Sequence, residues 1–302
     1  MKHKNVLLTL ISLGAIMITN MACSSAQPSG AEKLAVAVSI LPQQYFVEQI
    51  GGELVEVNVM VGPGEEPHTF EPQPSQMENL SKSQLYFTIG VEFEDAWLNK
   101  FEEINPSIQF IDCSSGIEKI STSESIPLVN GETQGEEHEH GSLDPHIWLS
   151  PANVKIIAQT IANALSVADP QNSTIYEKNL ELFLQDINDL DEEIRISLAT
   201  LATRQFIVFH PAWGYFAHDY DLEQIAIEIG GNEPSASELA NLIDYAQAND
   251  IHVIFASPEF STKSAETIAE EIDGQVILIS PLAENWLENM KTIAQALEDS
   301  LQ

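Results

Sequence analysis

"NSTIYEKNLELFLQDINDLDEEIRISLATLAT" occupies residues 172–203 and contains neither glycine nor proline. Its apolar side chains recur every three or four residues, as on the buried face of a helix. These positions are Tyr176, Leu180, Leu184, Ile187, Leu190, Ile194, Leu198 and Leu201. At 1.5 Å per residue such a helix would be about 45 Å long, which exceeds what one small lobe needs. The stretch predicts one rigid connecting helix, residues 171–203, that runs along two lobes.

Short apolar runs alternate with segments of helical spacing on both sides of this helix. The runs lie at 34–40, 53–61, 84–90 and 107–113 before it, and at 205–210, 222–229, 251–257 and 275–280 after it. Strands that alternate with helices favour parallel sheets with covered faces. We therefore expect an α/β fold of two Rossmann-like (β/α) lobes, residues 34–170 and 204–302, joined by the long helix.

Two helix starts carry local signals. Ser75 followed by Glu78 has the spacing of a capping box. Ser150 followed by Pro151 reads as a cap and a first-turn proline, and it predicts a helix after residue 150.

The N-terminus has the order of an export signal. Lys2 and Lys4 precede an apolar stretch, 6–18, that is too short to span a bilayer comfortably, and Cys23 follows a small residue. This order resembles a bacterial lipoprotein signal, although Asn20 stands where such signals mostly carry leucine. It predicts a signal peptide at 1–22, a lipid on Cys23 and a tether at 23–33; ordinary cleavage or a short anchor is the alternative. Either way we expect a periplasmic or cell-surface protein.

The charged residues and cysteines of the chain limit the partners and cross-links that it can have. Without residues 1–22 the chain has 46 acidic and 10 basic residues, a net charge of −36. Such a field excludes nucleic acid as a partner and attracts cations. Cys113 is the only cysteine besides Cys23. If Cys23 carries the lipid, no disulfide can form within the mature chain. Cys113 is predicted to be a small buried residue.

Three histidines lie at places where parallel sheets bind ligands. His68 is in a loop after the second strand, His210 ends a strand and His146 precedes the cap at Ser150. Ligands of open α/β sheets sit beyond the carboxyl ends of the strands. A histidine of this kind, taken alone, is more often a hydrogen-bonded structural residue than a ligand. Three neutral imidazoles at one point instead favour a metal that accepts nitrogen, above all Zn(II).

The other histidines differ in their surroundings. His138 and His140 lie in an acidic loop, 118–141, that has few apolar residues. They could form a loose chelator or belong to a solvated loop. His218 and His252 are interpreted as structural.

Five motifs then suggest a family. "GPGEEPHTFEPQPSQ" (62–76), "DPHIWLSP" (144–151), "FHPAWGYFAHDYDL" (209–222), "SPEFSTKSAETIAEEI" (257–272) and "PLAENW" (281–286) resemble, in this order, the metal-binding lipoproteins of bacterial zinc and manganese ABC importers. The resemblance implies one metal site in the cleft between the lobes, with His68, His146 and His210 as ligands. Histidine at the third position favours zinc, since manganese members tend to carry glutamate there.

One departure concerns the fourth ligand. Many members of the family have aspartate where this chain has Ser280, and a neutral hydroxyl is a poor zinc ligand. Water, Glu66, Glu259 or Glu284 could take the position. The acidic loop resembles that of zinc members, and its segment 132–141 could collect or sense zinc.

The predicted function is capture of Zn(II) by a monomeric, membrane-tethered protein that delivers it to the permease subunit of an ABC importer. A manganese- or iron-binding protein of the same importer class is the nearest alternative. A hydrolase with zinc on three histidines is the enzymatic alternative, and a surface adhesin is a further one.

Overall fold

The computed structural model describes most of the chain from residue 33 onward. The described residues are 33–122, 126–127, 133–134, 143–228, 232, 234–260 and 262–302, with only the backbone described at 126–127 and 133–134. Residues 33–302 belong to one compact unit. The predicted signal 1–22 and Cys23 lie outside the described residues.

The first sheet is parallel and has four strands. They are β1 (Leu34–Ile40), β2 (Val55–Val61), β3 (Leu85–Thr88) and β4 (Gln109–Asp112). Their spatial order is β2-β1-β3-β4, and Val36 of β1 pairs with Val57 on one side and with Leu85 on the other. Because both faces of a parallel sheet are covered, the central β1 is an almost unbroken apolar run. Cys113, directly after β4, is buried as predicted.

Four α-helices of the described residues belong to this lobe. They are α1 (Leu41–Gly51), α2 (Pro74–Leu80), α3 (Glu92–Ile104) and α4 (Pro151–Ala168). Ser150 caps α4 as predicted, because its hydroxyl accepts a hydrogen bond from the Asn153 N–H.

The capping box predicted at Ser75 and Glu78 is wrong. The N-cap of α2 is Gln73, whose backbone N–H donates to the Gln76 side chain at 2.8 Å. Pro74 takes the first helical position, where its fixed φ suits the helix and its missing N–H costs nothing. The cap therefore lies two residues earlier than predicted.

The connecting helix is shorter than predicted. It is α5 (Ser173–Ser197), which follows a 3₁₀ turn at Pro170–Asn172 and continues into another at Leu198–Thr200. Its 25 residues correspond to about 37 Å. Beyond this second turn, the N–H groups of Ala202 and Thr203 donate to the Leu301 carbonyl and so take no part in a helix.

The buried face of α5 differs at one position from the prediction. Phe183 is buried, whereas the predicted Leu184 is only partly buried. The other buried residues of the helix are Tyr176, Leu180, Ile187, Leu190 and Ile194.

The second sheet repeats the design of the first. Its parallel strands are β7 (Gln205–Val208), β8 (Glu223–Ala226), β9 (Val253–Ala256) and β10 (Gln275–Leu278), in the order β10-β9-β7-β8. Its helices are α6 (Gly214–Asp219), α7 (Ala236–Ala248), α8 (Lys263–Glu271) and α9 (Trp286–Leu301). The predicted α/β class with two parallel-sheet lobes and a long central helix is confirmed.

The segment between β4 and α4 adds a short antiparallel pair, β5 (Ile126–Pro127) with β6 (Thr133–Gln134). The backbone of β5 lies against α7 and β8.

The two sheets share one apolar core. It runs from the first sheet through α5 and into the second lobe, where Phe206, Phe216 and Trp286 belong to it. A second cluster packs only within the second lobe, around Ile254 and Ile268. The shared core explains why residues 33–302 form one unit rather than two separate ones. Among the described helices, none has the length and apolar character needed to cross a bilayer.

Candidate metal centre

The three predicted histidines come from three different segments. His68 lies in the loop between β2 and α2, and His146 directly precedes a 3₁₀ turn at Ile147–Leu149. His210 follows the end of β7 by two residues. The first sheet's lobe thus supplies two imidazoles and the second sheet's lobe supplies one.

Their ring nitrogens meet at one point. His210 Nε2 lies 3.4 Å from His68 Nε2 and 3.3 Å from His146 Nε2. The facing ligand atoms of all three lie within 4.8 Å of one another, and no other group of three or more such ligands occurs among the described residues. Two nitrogens bound to one tetrahedral zinc at about 2.0–2.1 Å are about 3.3–3.4 Å apart. The spacing suits a small ion that binds nitrogen.

A carboxylate pairs with Nδ1 of each imidazole, the ring nitrogen that does not face the other histidines. The Nδ1 atoms of His68, His146 and His210 lie 3.1 Å from Glu92 Oε2, 2.8 Å from Asp144 Oδ1 and 2.7 Å from Glu228 Oε2, respectively. An ionised carboxylate can only accept, so each Nδ1 carries the hydrogen and each neutral ring presents the lone pair of Nε2. Outer carboxylates of this kind fix the tautomer and orientation of metal-bound histidines.

Asp144 is the most enclosed of these carboxylates. Its Oδ1 also accepts from the backbone N–H of His146 at 2.9 Å, and its carbonyl accepts from Tyr215 Oη at 3.0 Å. Its Oδ2 is buried without a hydrogen-bond partner. A buried negative charge of this kind is stabilised when the imidazole in front of it binds a cation.

The three imidazoles differ in electrostatic environment. The His146 and His210 side chains are each 9% exposed, whereas that of His68 is 29% exposed. Burial lowers the pKa of His210, which favours the neutral form. The hydrogen bond to Glu92 raises the pKa of His68. His68 is thus the imidazole more open both to solvent and to protons.

A small cavity of ≈ 10 Å³ lies at the imidazoles. This is about the volume of one water-sized sphere. Besides the histidines, it is lined by Glu92, Trp148, Phe260, Pro281 and Leu282, among others. The Phe260 ring stacks on His210 with centroids 4.8 Å apart and covers that imidazole. The cavity has room for an ion and leaves little for an organic molecule.

The candidates for a fourth ligand point elsewhere. The Ser280 hydroxyl donates to Glu259 and accepts from the Leu282 N–H, and Glu259 also accepts from the Ser257 hydroxyl. Glu66 accepts from Thr69 at 3.0 Å, and Glu284 is exposed. Neither Ser280 nor any of the three candidate carboxylates is among the residues that line the cavity.

Among the described residues, His218 and His252 are not part of this centre. His138 and His140 lie outside the described residues. His218 and His252 are exposed and lie within 3.4 and 3.0 Å of Asp219 and Asp250.

The sequence interpretation missed the three outer carboxylates and Phe260. Asp144 was within reach, because it stands two residues before His146 in the "DPHIWLSP" motif. Glu92 and Glu228 had no comparable signal, since tertiary folding brings them to His68 and His210.

Comparisons with known proteins identify the family. The model of "Zinc-uptake complex component A periplasmic" matches residues 36–300. The high-affinity zinc uptake system protein ZnuA of Bacillus subtilis is 29% identical over 97% of both chains. The zinc-binding lipoprotein AdcA of Streptococcus pneumoniae is 27% identical over 98% of this chain, which spans 61% of that longer protein.

A solved structure agrees in both sequence and fold. The crystal structure of a ZnuA deletion mutant with zinc bound is 44% identical, covers 90% of this chain and 99% of its own, and superimposes with a TM-score of 0.81. The family predicted from the motifs is confirmed: the chain belongs to the family of the periplasmic component A of zinc-uptake complexes.

Proposed function

We propose that the protein captures one Zn(II) with His68, His146 and His210 and delivers it to the permease of an ABC importer. One observation carries the proposal: His210 Nε2 lies at zinc-like distances from the Nε2 atoms of His68 and His146, all three ligand atoms lie within 4.8 Å of one another, and a carboxylate occupies every Nδ1. Such an arrangement leaves the imidazoles oriented before the ion arrives, which reduces the cost of binding.

Zinc is favoured over manganese and iron because the described donors are all imidazole nitrogens. Manganese prefers carboxylate, carbonyl and water oxygens, whereas imidazole suits zinc. Among the relatives, ZnuA of Bacillus subtilis is named for high-affinity zinc uptake and AdcA for zinc binding.

Water is the proposed fourth ligand. Ser280 and Glu259 are hydrogen-bonded to each other, and Glu92, the carboxylate in the cavity wall, is paired with Nδ1 of His68. A water ligand can be exchanged without moving protein atoms, which suits a protein that must release its ion again.

Binding rather than catalysis is proposed. A zinc hydrolase also needs a general base beside the zinc-bound water, and the one carboxylate among the described residues that line the cavity, Glu92, is already paired with His68. The shared core further supports a body that opens little, so that delivery occurs by ligand exchange at the mouth of the site.

The protein is proposed to act as a monomer outside the cytoplasm, tethered through a lipid on Cys23. The lipoprotein-like order around Cys23 supports the tether, and the related AdcA is named a lipoprotein.

Metal content and competition titrations test the proposal. Protein purified without added metal should contain up to one equivalent of tightly held zinc, and zinc should displace manganese. His146→Ala should weaken zinc binding by more than the roughly 10- to 100-fold that loss of an outer partner costs. The exposed His252 gives the matched control, His252→Ala, which should bind like the wild type. Equal affinities for the wild type and His146→Ala would overturn the assignment.

A further inference from the structure

Two tryptophans donate hydrogen bonds that join the two lobes beside the metal centre. Trp148 Nε1 donates to the Pro281 carbonyl at 2.7 Å, and Trp286 Nε1 donates to the Trp148 carbonyl at 2.7 Å. Trp148 lies in the 3₁₀ turn after His146, and Trp286 is the first residue of α9. Both residues are 1% exposed. We call this pair the indole clasp.

The clasp joins the two lobes through packing as well as hydrogen bonds. The Trp286 ring packs edge-on against Phe46 of α1, with centroids 5.3 Å apart and planes at 79°. The Phe46 ring in turn packs against Phe183 of α5, with ring centroids 6.0 Å apart. A side chain from the second lobe is therefore embedded in the core of the first lobe and the connecting helix.

The clasp is also next to the imidazoles. The Trp148 ring lies 5.3 Å from the ring of His146. Trp148 forms the cavity wall together with Pro281 and Leu282. Trp148 Nε1 thus ties the turn that carries His146 to the turn that forms the opposite wall of the cavity.

The separation of His146 and His210 depends on the placement of the lobes. Their Nε2 atoms lie 3.3 Å apart but belong to segments on opposite sides of the cleft. A metal ion tolerates only a few tenths of an ångström of error in ligand distance. Buried hydrogen bonds between the two sides of the cleft can keep the distance between these Nε2 atoms within that limit. Breaking such bonds would leave buried polar groups unpaired.

We propose that Trp148 and Trp286 are positioning residues, which fix the distance between His146 and His210 and thereby set zinc affinity and coordination geometry. The inference rests on the proposed function, since it assumes that these histidines bind the ion. It adds to the centre two residues that do not themselves coordinate.

The test uses Trp286→Phe and Trp148→Phe in the otherwise intact protein. Phenylalanine keeps an aromatic ring in the core but removes the N–H donor. Each variant should bind zinc roughly tenfold or more weakly in chelator competition, and its Co(II) complex should lose intensity in the visible bands of tetrahedral cobalt. The double variant should be little weaker than the weaker single variant, because both bonds serve one link.

Trp97→Phe is the matched control. Trp97 lies on α3 against Lys100 and Phe101, and it is not part of the cavity wall. It should leave both zinc affinity and the cobalt spectrum unchanged. Denaturant unfolding of each apo variant separates stability from positioning, because a merely structural role would lower the unfolding midpoint and leave the cobalt spectrum intact.

A measurement on the wild-type protein does not depend on any variant. If the clasp strengthens zinc binding, zinc must strengthen the clasp by the same factor. Exchange of the Trp148 and Trp286 indole hydrogens, followed by NMR in D₂O, should slow more on zinc addition than exchange at Trp97.

Two failures are distinguishable. A wild-type protein that binds neither zinc nor cobalt overturns the proposed function and the clasp with it. A wild type that binds, with Trp286→Phe within about twofold of its affinity and with unchanged cobalt bands, overturns the positioning role alone.

Discussion

Gly214 lies so close to Asp144 that a Cβ atom at position 214 would come within 2.5 Å of Asp144 Oδ2. Asp144 in turn holds Nδ1 of His146 at 2.8 Å. The glycine of the "FHPAWGYF" motif thus makes room for the carboxylate that orients a proposed ligand from the other lobe.

Gly214→Ala should therefore weaken zinc binding without touching a ligand. The added methyl group must displace Asp144, and loss of an outer partner costs roughly 10- to 100-fold in metal affinity. Chelator competition measures the effect. Asp144→Asn is the matched comparison, because it keeps the shape of the side chain and weakens its hold on Nδ1. An affinity within about twofold of the wild type for Gly214→Ala would show that Asp144 does not orient His146.

Zinc affinity should fall with decreasing pH in two stages. Protons compete with zinc for Nε2, and the reference pKa of histidine is about 6.5. Because its hydrogen bond to Glu92 raises the pKa of His68, competition at this imidazole sets in at a higher pH than at an unperturbed histidine. Because burial lowers the pKa of His210, this ligand resists protonation until lower pH. Titrations from about pH 7.5 to about pH 5 measure the profile.

Glu92→Gln tests the cause of the first stage. Without the carboxylate the pKa of His68 loses its upward shift, so the onset of the affinity loss should move to lower pH. Asp95, an exposed acidic residue of the same helix, gives the control Asp95→Asn, which removes one negative charge and should leave the onset unchanged. An identical onset in the wild type and Glu92→Gln would refute the role of Glu92.

Phe260→Ala should speed the release of zinc. The ring stacks on His210 and forms part of the cavity wall, so its removal opens the site to water and to competing chelators. Stopped-flow mixing of zinc-loaded protein with excess chelator measures the dissociation rate. An unchanged zinc dissociation rate would mean that Phe260 only fills space in the cavity wall and does not control release.

Deletion of residues 132–141 tests the acidic loop, which lies mostly outside the described residues. If the loop collects zinc through His138 and His140, the deletion should remove weak binding and lower uptake at scarce zinc, while one tight equivalent remains. Unchanged stoichiometry and unchanged uptake would remove that role.

The sequence carried local information well and tertiary information poorly. The apolar run at 34–40 coincides with β1, and Ser150 caps α4, because both follow from neighbouring residues. The non-helical end of the predicted segment 171–203 could not be read locally, since the N–H groups of Ala202 and Thr203 donate to the carbonyl of Leu301, which is distant in sequence. At Ser75 a local signal was misread, because Pro74 at the first helical position outweighs the serine.

The candidate metal centre shows the same difference between what neighbouring residues reveal and what only the folded chain reveals. His68, His146 and His210 could be proposed from their places after strands and before a cap. Their carboxylate partners Glu92 and Glu228 could not, because only the folded chain brings them to the imidazoles. The indole clasp was equally hidden, since it pairs residues 138 positions apart.

X-ray absorption at the zinc edge, combined with a crystal structure of the zinc-loaded protein, tests the central claim most directly. The account predicts one zinc between the lobes, bound by Nε2 of His68, His146 and His210 at about 2.0–2.1 Å, with a light-atom fourth ligand. A zinc bound elsewhere, or one coordinated without His210, would contradict it.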